Sequence, residues 1–129
     1  GYGQTLPELE NLFHIGRLER NEVPRLLVES NVGLAPYPNV DYGFSPLKIY
    51  EYMGCKLPVV ATSLPSVKEA TQGHALLVKS GQMADAVSKI LENEKLLNDL
   101  SESAYVFATS RRTWENTIDK TVKLYQETI

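Results

Sequence analysis

The stretch Asp41-Tyr-Gly-Phe-Ser-Pro-Leu-Lys-Ile-Tyr-Glu-Tyr-Met-Gly-Cys-Lys-Leu-Pro-Val-Val-Ala-Thr62 decides how the chain reads. An apolar run, Val32-Gly-Leu-Ala35, enters it through a long loop holding Pro36, Pro38 and Gly43. Ser45-Pro46 then predicts a helix start. A Ser hydroxyl caps well because it accepts from a first-turn N–H, and Pro at the first helical position gives up a donor that has no partner there. A helix start leaves N–H groups pointing outward and carries partial positive charge, so it attracts phosphate. Glu51 follows a little over one turn later, and long helical side chains lean back toward the N-terminus. A diphosphate on the amides with a ribose diol on Glu51 would make a nucleoside-diphosphate site.

Outward from this stretch, short apolar runs alternate with helical patterns. Upstream, Gly1-Tyr-Gly3 reads as a strand-to-helix turn, with a short helix around Leu6 to Asn11. Phe13-His-Ile15 reads as a buried strand closed by Gly16, and Asn21 as the cap of a helix that runs to about Ser30. Val32 to Ala35 is a strand, and the helix from Pro46 to about Gly54 would set Leu47, Tyr50 and Met53 or Gly54 on one face. Pro58 to Ala61 is the next strand. Ser66-Val-Lys-Glu69 has capping-box spacing for a short helix ending before Gly73. Ala75 to Val78 is a fourth strand.

After Ser80-Gly81 the pattern is helical throughout. Ala84, Val87, Ile90 and Leu91 recur at helical spacing. Asn93 can cap a helix with Leu96, Leu97, Leu100, Ala104 and Phe107 as its stripe. Thr113 can cap another, with Trp114, Ile118, Val122 and Tyr125 facing inward. The expected fold is α/β: a parallel Rossmann-like sheet flanked by helices, with a C-terminal helical tail. Ligands in such sheets bind at the carboxyl ends of the strands. The segment Pro36 to Phe44 leaves one of those ends and exceeds the roughly 2–6 residues usual there, which marks it as functional or mobile.

Composition limits the alternatives. The chain has 129 residues, enough for one domain with a real core. Hydrophobic residues at 43% and charged residues at 22% suit a soluble globular protein. A net charge of -3 argues against a nucleic-acid surface; Arg111-Arg112 is the only adjacent basic pair and reads as solvated. The single Cys55 excludes an internal disulfide and a Cys-rich zinc site. His14 and His74 stand apart with no carboxylate at ligand spacing; His14 reads as a core or strand-end residue and His74 as exposed. No apolar run nears the roughly 20 residues that span a bilayer, and the chain opens on Gly1 without a signal-peptide pattern.

In this order the motifs resemble the C-terminal nucleotide-binding domain of GT-B glycosyltransferases, of the retaining, glycogen-synthase-like group (glycosyl transferases group 1). The resemblance runs from His14-Ile-Gly16 through Val32 to Pro36 and is strongest at Ser45-Pro-Leu-Lys48, Glu51-Tyr-Met53 and Leu57 to Thr62. It closes with Ala75 to Val78 and the tail from Arg112 to Tyr125. It implies a two-domain GT-B enzyme of which residues 1–129 are a truncated C-terminal domain, its N-terminal domain being the missing partner. It implies a UDP-, GDP- or ADP-sugar donor and no metal or other cofactor. Glu51 would bind the ribose. Gly43, Phe44, Ser45, Pro46, Leu47 and Lys48 would approach the diphosphate and sugar, and Gly16-Arg17 the base. No catalytic residue is assigned. A cytoplasmic location is expected, or one peripheral to a membrane through the parent protein.

Two departures from the family pattern matter. The family's second carboxylate, eight residues before the ribose-binding one, falls on Gly43, with Asp41 two residues away. The usual Gly before the third strand is altered, to Lys56-Leu57-Pro58. For a domain that has lost its opposing half, an exposed apolar strip is expected at the sheet edge or on the last helix. Two other readings stand beside the transferase: a non-catalytic α/β interaction or regulatory module with a degenerate nucleotide site, and a GT-B sugar-nucleotide epimerase. Against its role as a ligand, each singled-out residue has a plainer one: Glu51 and Lys48 as solvated charges, Ser45 as a cap, Asp41 as loop chemistry, Arg17 as a surface group.

Overall fold

The computed structural model describes residues 7–39, 43 and 45–128. The elements run α1 (Val23–Val28), β1 (Gly33–Ala35), α2 (Leu47–Gly54), β2 (Val59–Thr62), α3 (Pro65–Thr71), β3 (Leu76–Val78), α4 (Met83–Leu91), α5 (Glu94–Arg111) and α6 (Trp114–Thr128). The strands form one three-stranded parallel sheet, ordered β1-β2-β3. Leu34 pairs with Val60, and Ala61 with Leu77.

The central strand explains the layering. All four residues of β2 are buried. Successive side chains on a strand point to opposite faces. Val59 and Ala61 join Ala35, Ile49, Met53, Val67, Ala104 and Phe107 on one side, while Val60 meets Ala86 and Ile90 on the other. Helices therefore cover both faces: α2 and α5 on one, α4 on the other. An apolar strand without alternation needs this arrangement, because either face left open would put Val in water.

Gly33 shows how tightly α2 lies on the sheet. A Cβ there would come within 2.5 Å of the Tyr52 ring, whose hydroxyl donates to Leu34 O at 3.3 Å. The buried face of α2 is made by Ile49 and Met53. Of the residues the sequence groups on one face, Met53 is buried, Tyr50 is half-buried, and Leu47 and Gly54 are exposed. Likewise Ala86 rather than Ala84 faces in from α4, and Leu91 is exposed.

Several sequence expectations hold. The strand and helix order from Gly33 onward is as read, and Asn93 caps α5 by accepting from Leu96 N at 3.0 Å. Thr113 Oγ1 accepts from Asn116 N at 3.3 Å, as a cap does.

Others fail, each for a physical reason. Phe13-His-Ile15 is not a strand: Phe13 is 82% exposed and Ile15 is 55% exposed. A short apolar run becomes a strand only beside a partner, and the described sheet offers it none. His14 is accordingly exposed, not a core residue. The described part of the expected first helix forms only a turn, with Leu12 N donating to Leu9 O at 3.1 Å; Leu6 and the Gly1-Tyr-Gly3 turn lie outside the described residues. The helix assigned to Asn21 starts at Val23 with Glu22 in the cap position. Ser66 and Glu69 form no capping box, because α3 starts on Pro65, two residues earlier than a Ser66 cap requires, and the fixed φ of Pro65 suits the first helical position. His74 is half-buried, stacked on Phe107 with ring centroids 4.4 Å apart. The tail helix α6 buries none of its residues, so Trp114, Ile118, Val122 and Tyr125 face solvent instead of the core. The exposed strip expected on the last helix is therefore present.

Candidate functional site

The carboxyl ends of the three strands are stitched together by short polar contacts. Beyond β1, Tyr37 N donates to Ala35 O at 3.0 Å, and Tyr37 O accepts from Thr62 Oγ1 at 2.9 Å. Ser63 N, just past β2, donates to Val78 O at 2.8 Å. These bonds fix where the chain leaves the sheet.

The start of α2 differs in detail from the sequence reading. Ser45 does not cap it. Pro46 holds the cap position with ψ 68°, no side chain caps the helix, and Leu47 is the first helical residue. Leu47 N turns back to Ser45 O at 3.0 Å, and Ile49 N donates to Pro46 O at 3.0 Å. Pro46 thus stands one position earlier relative to the helix than expected, since its ψ lies outside the helical range.

Lys48, in the first turn, lays its Nζ 4.9 Å from the centre of the Tyr37 ring. A cation over an aromatic face is worth about 0.5–1 kcal/mol at such sites. The contact holds positive charge beside the strand ends, against the helix dipole. Glu51 is exposed one turn on. Burial, then the Glu51 charge, raises the Tyr52 phenol above its ordinary range, and the same two causes in the same order raise the Cys55 thiol. Burial, then Tyr52, raises Tyr37.

A cleft of about 230 Å³ opens beside this helix start, lined by Gly43, Ser45, Pro46, Tyr50, Ser66, Glu69, Ala70 and Arg112. Of the expected site residues, Gly43, Ser45 and Pro46 converge on it. Leu47, Lys48 and Glu51 sit on the adjoining turns of α2 without lining it. Gly43 has φ +71°, with nothing within 4 Å of where a Cβ would stand. Gly16 (φ +73°) and Arg17 lie in the exposed segment before α1 and do not line the cleft. Phe44, Asp41 and Tyr42 lie outside the described residues. Among the described residues no three His, Cys, Asp or Glu side chains gather as metal ligands, and no helix is long and apolar enough to cross a membrane.

Arg112 is the residue that sequence reasoning missed. In the sequence it reads as half of a solvated pair, but it is half-buried and Nη2 donates to Glu69 O at 3.1 Å. No local pattern marks it, because its partners come from α2, α3 and α5.

A second depression, about 430 Å³ and lined by Pro7, Glu8, Leu9, Glu10, Leu12 and His14, is formed by one exposed segment and gathers no residue of the α2 start.

Comparison with known proteins gives a consistent picture. The family model for glycosyl transferases group 1 matches residues 3–93. That span runs through the sheet, α2, the cleft-lining part of α3 and all of α4. The chain is 28% identical over 104 residues to the teichuronic acid biosynthesis glycosyltransferase TuaH of Bacillus subtilis, covering 79% of this chain and 26% of that protein. It is 27% identical over 108 residues to a chitobiosyldiphosphodolichol beta-mannosyltransferase of Yarrowia lipolytica, covering 81% and 23%. The corresponding protein of Candida albicans is 24% identical over 101 residues, covering 73% and 22%. The chain thus spans about a quarter of the length of these curated relatives.

Proposed function

The chain belongs to the family of glycosyl transferases group 1, and on that premise we propose that it is the donor-binding domain of a glycosyltransferase. The longer enzyme moves a hexosyl unit from a nucleoside-diphosphate sugar to a hydroxyl acceptor. The observation that carries this reading is the meeting, inside the family match, of the α2 start, Lys48 and a polar cleft at the carboxyl ends of a parallel sheet.

Each residue has a part in this proposal. The first-turn N–H groups of α2, with the helix dipole behind them, face the diphosphate. Lys48 adds charge from the side of Tyr37. Glu51 accepts from the ribose hydroxyls, which suits its exposed position on the second turn. As the acceptor oxygen bonds to the anomeric carbon, the bond from that carbon to the diphosphate oxygen breaks and the acceptor's hydroxyl proton passes to the leaving diphosphate. The electron pair leaves with the diphosphate, where fixed positive charge stabilises it. No metal is required in this account, and no general base is assigned to these residues. The opposing half of the site and the acceptor contacts belong to the longer protein, so the 129-residue chain would bind nucleotide without turnover.

Retention of anomeric configuration is part of the proposal, taken from the glycogen-synthase-like resemblance. Two relatives are named beta-mannosyltransferases, so the anomer of the product is the measurement that decides it. Their names also carry a diphosphodolichol-linked acceptor, which makes a lipid-linked hydroxyl the acceptor class to try first, at a membrane surface.

Titration of the isotope-labelled chain with UDP, GDP and ADP tests the reading. One of them should perturb amides between Ser45 and Glu51, and Glu51→Ala should weaken it about tenfold, the order of one charge-assisted hydrogen bond. If no nucleotide moves these amides, the donor reading fails. A second reading, a non-catalytic module with a degenerate site, is favoured by one observation: Gly43 offers no carboxylate at the cleft. The same silent titration would support it.

A further inference from the structure

The cleft beside α2 contains a cation that the donor reading leaves without a role. Arg112, following α5, has two aromatic neighbours: its guanidinium carbon lies 5.8 Å from the Tyr50 centroid and 5.3 Å from that of Phe107. Phe107 is backed in turn by the stacked His74 ring, whose Nδ1 lies 2.6 Å from Ser103 Oγ. Nη2 donates to Glu69 O at 3.1 Å. Nε is shut off from solvent and has no acceptor among the described residues.

Among the described residues, no carboxylate forms an ion pair with Arg112; the ion pairs there are Lys56–Glu102, Lys95–Asp99 and Lys123–Glu127. A guanidinium stays charged at any ordinary pH. Drawing it partly out of water with no counter-ion among the described residues costs free energy that structural packing alone does not require. Its flat fork of N–H groups matches the oxygens of phosphate. The cleft it lines, about 230 Å³, also gathers Ser45, Ser66 and Tyr50. That is below the roughly 300–1,000 Å³ of pockets that take whole drug-sized ligands, and it suits one or two phosphate groups.

We propose that Arg112 is an oxyanion-binding residue that holds a phosphate or diphosphate group in the cleft between the start of α2 and α3. The proposal rests on the donor-domain reading and deepens it, since it assigns a cation to the anion. The phosphate could arrive on the nucleotide donor or on a phosphate-linked lipid acceptor; the chemistry at Arg112 is shared.

The test uses the full labelled chain titrated with inorganic pyrophosphate, then with UDP, GDP, ADP and a short prenyl diphosphate. The variants are Arg112→Gln, Arg112→Lys and, as a control on the exposed neighbour, Arg111→Gln. Pyrophosphate should shift the Leu47, Lys48 and Ser66 amides. Arg112→Gln should weaken it by about tenfold or more, the range for one lost charged hydrogen bond. Arg112→Lys should fall between, and Arg111→Gln should match the parent.

A thermal melt on each variant separates a folding defect from a binding defect. If Arg112→Gln does not fold, Arg112→Lys carries the test and must still bind pyrophosphate more weakly than Arg111→Gln does. A folded Arg112 variant with unchanged affinity, or a parent chain that ignores pyrophosphate, overturns the proposal. Nucleotide binding that ignores Arg112 overturns it while keeping the donor reading. Arg112-dependent pyrophosphate binding with no gain from any nucleoside keeps it and removes that reading. In either supporting case, competition between the prenyl diphosphate and a nucleotide, or its absence, separates the two sources.

Discussion

Lys56 Nζ reaches Glu102 Oε2 at 3.2 Å and also lies 4.8 Å from the centre of the Tyr105 ring. The backbone of the same residue is left-handed, at φ +60°, and its carbonyl accepts from Ser101 Oγ. It follows the cap of α2, where glycine is the usual residue because it alone lacks the Cβ that makes this conformation costly. The altered residue seen in the sequence before β2 thus holds a strained backbone and compensates with a side chain tied to α5. Lys56→Ala keeps the strain and loses both contacts, so it should destabilise by about 1 kcal/mol. Lys56→Gly loses the contacts but relieves about 1 kcal/mol of strain, so it should melt at or above the Ala variant in a denaturant series. The reverse order would mean that the contacts, not the backbone, govern this turn.

Gly33 and Tyr52 should prove energetically coupled. A Cβ at Gly33 would stand 2.5 Å from the Tyr52 ring. Gly33→Ala should cost about 1–3 kcal/mol through overpacking. Combined with Tyr52→Ala, the loss should be less than the sum of the two single variants, a coupling that a double-mutant cycle reads directly. Additive losses would show that the ring moves aside freely.

Stability should fall at alkaline pH. Tyr37, Tyr52 and Cys55 all have raised values relative to their ordinary 10.0, 10.0 and 9.0, with burial the first cause in each. Each is neutral when protonated, so the folded chain keeps a proton that the unfolded chain releases. Their contribution is whole below the unfolded values and is lost as pH rises through the folded ones. Melting temperatures between roughly pH 8 and 11 should therefore decline above about pH 9, the thiol's onset. Glu51→Gln, which removes the second cause at Tyr52 and Cys55, should soften that decline. A Tm that rises over this range would contradict the assignment.

α6 should behave as a loosely held helix. None of its 15 residues is buried and Trp114 is 77% exposed. A helix of that length without tertiary packing is marginal in water. Its amides should exchange orders of magnitude faster than those of β2, whose residues are all buried. Trp114 should emit as a hydrated indole and be fully open to a soluble quencher. Slow exchange across Ile118 to Tyr125 would show that another surface covers this face.

Much of the fold is legible in the sequence because it follows from short-range rules. The run Val59-Val-Ala61 has no alternation, and that alone demands a sheet covered on both faces. Asn93 stands before a long helical stripe, and it caps. The alternation of apolar runs with helical stripes from Gly33 to Leu91 carries the parallel sheet. The candidate site is legible only as a location, the loop and helix after β1. The one-residue offset at Pro46 and the burial of Ile49 instead of Leu47 depend on how α2 settles against β2 and α5.

The sequence by itself determined the class of the fold, the order of its elements from Gly33 to Arg111 and the helix start beside the carboxyl ends of the strands. Those features come from backbone sterics, periodicity and caps, which act within a few residues. Only the tertiary structure decided that Phe13-His-Ile15 joins no sheet among the described residues, that α6 leaves its apolar face in solvent, and that Arg112 enters the cleft. The last depends on a bond to Glu69, 43 residues away in the chain, and on rings contributed by Tyr50 and Phe107. Contacts of that reach leave no local pattern, since any exposed arginine near a helix end looks the same until its neighbours in space are known.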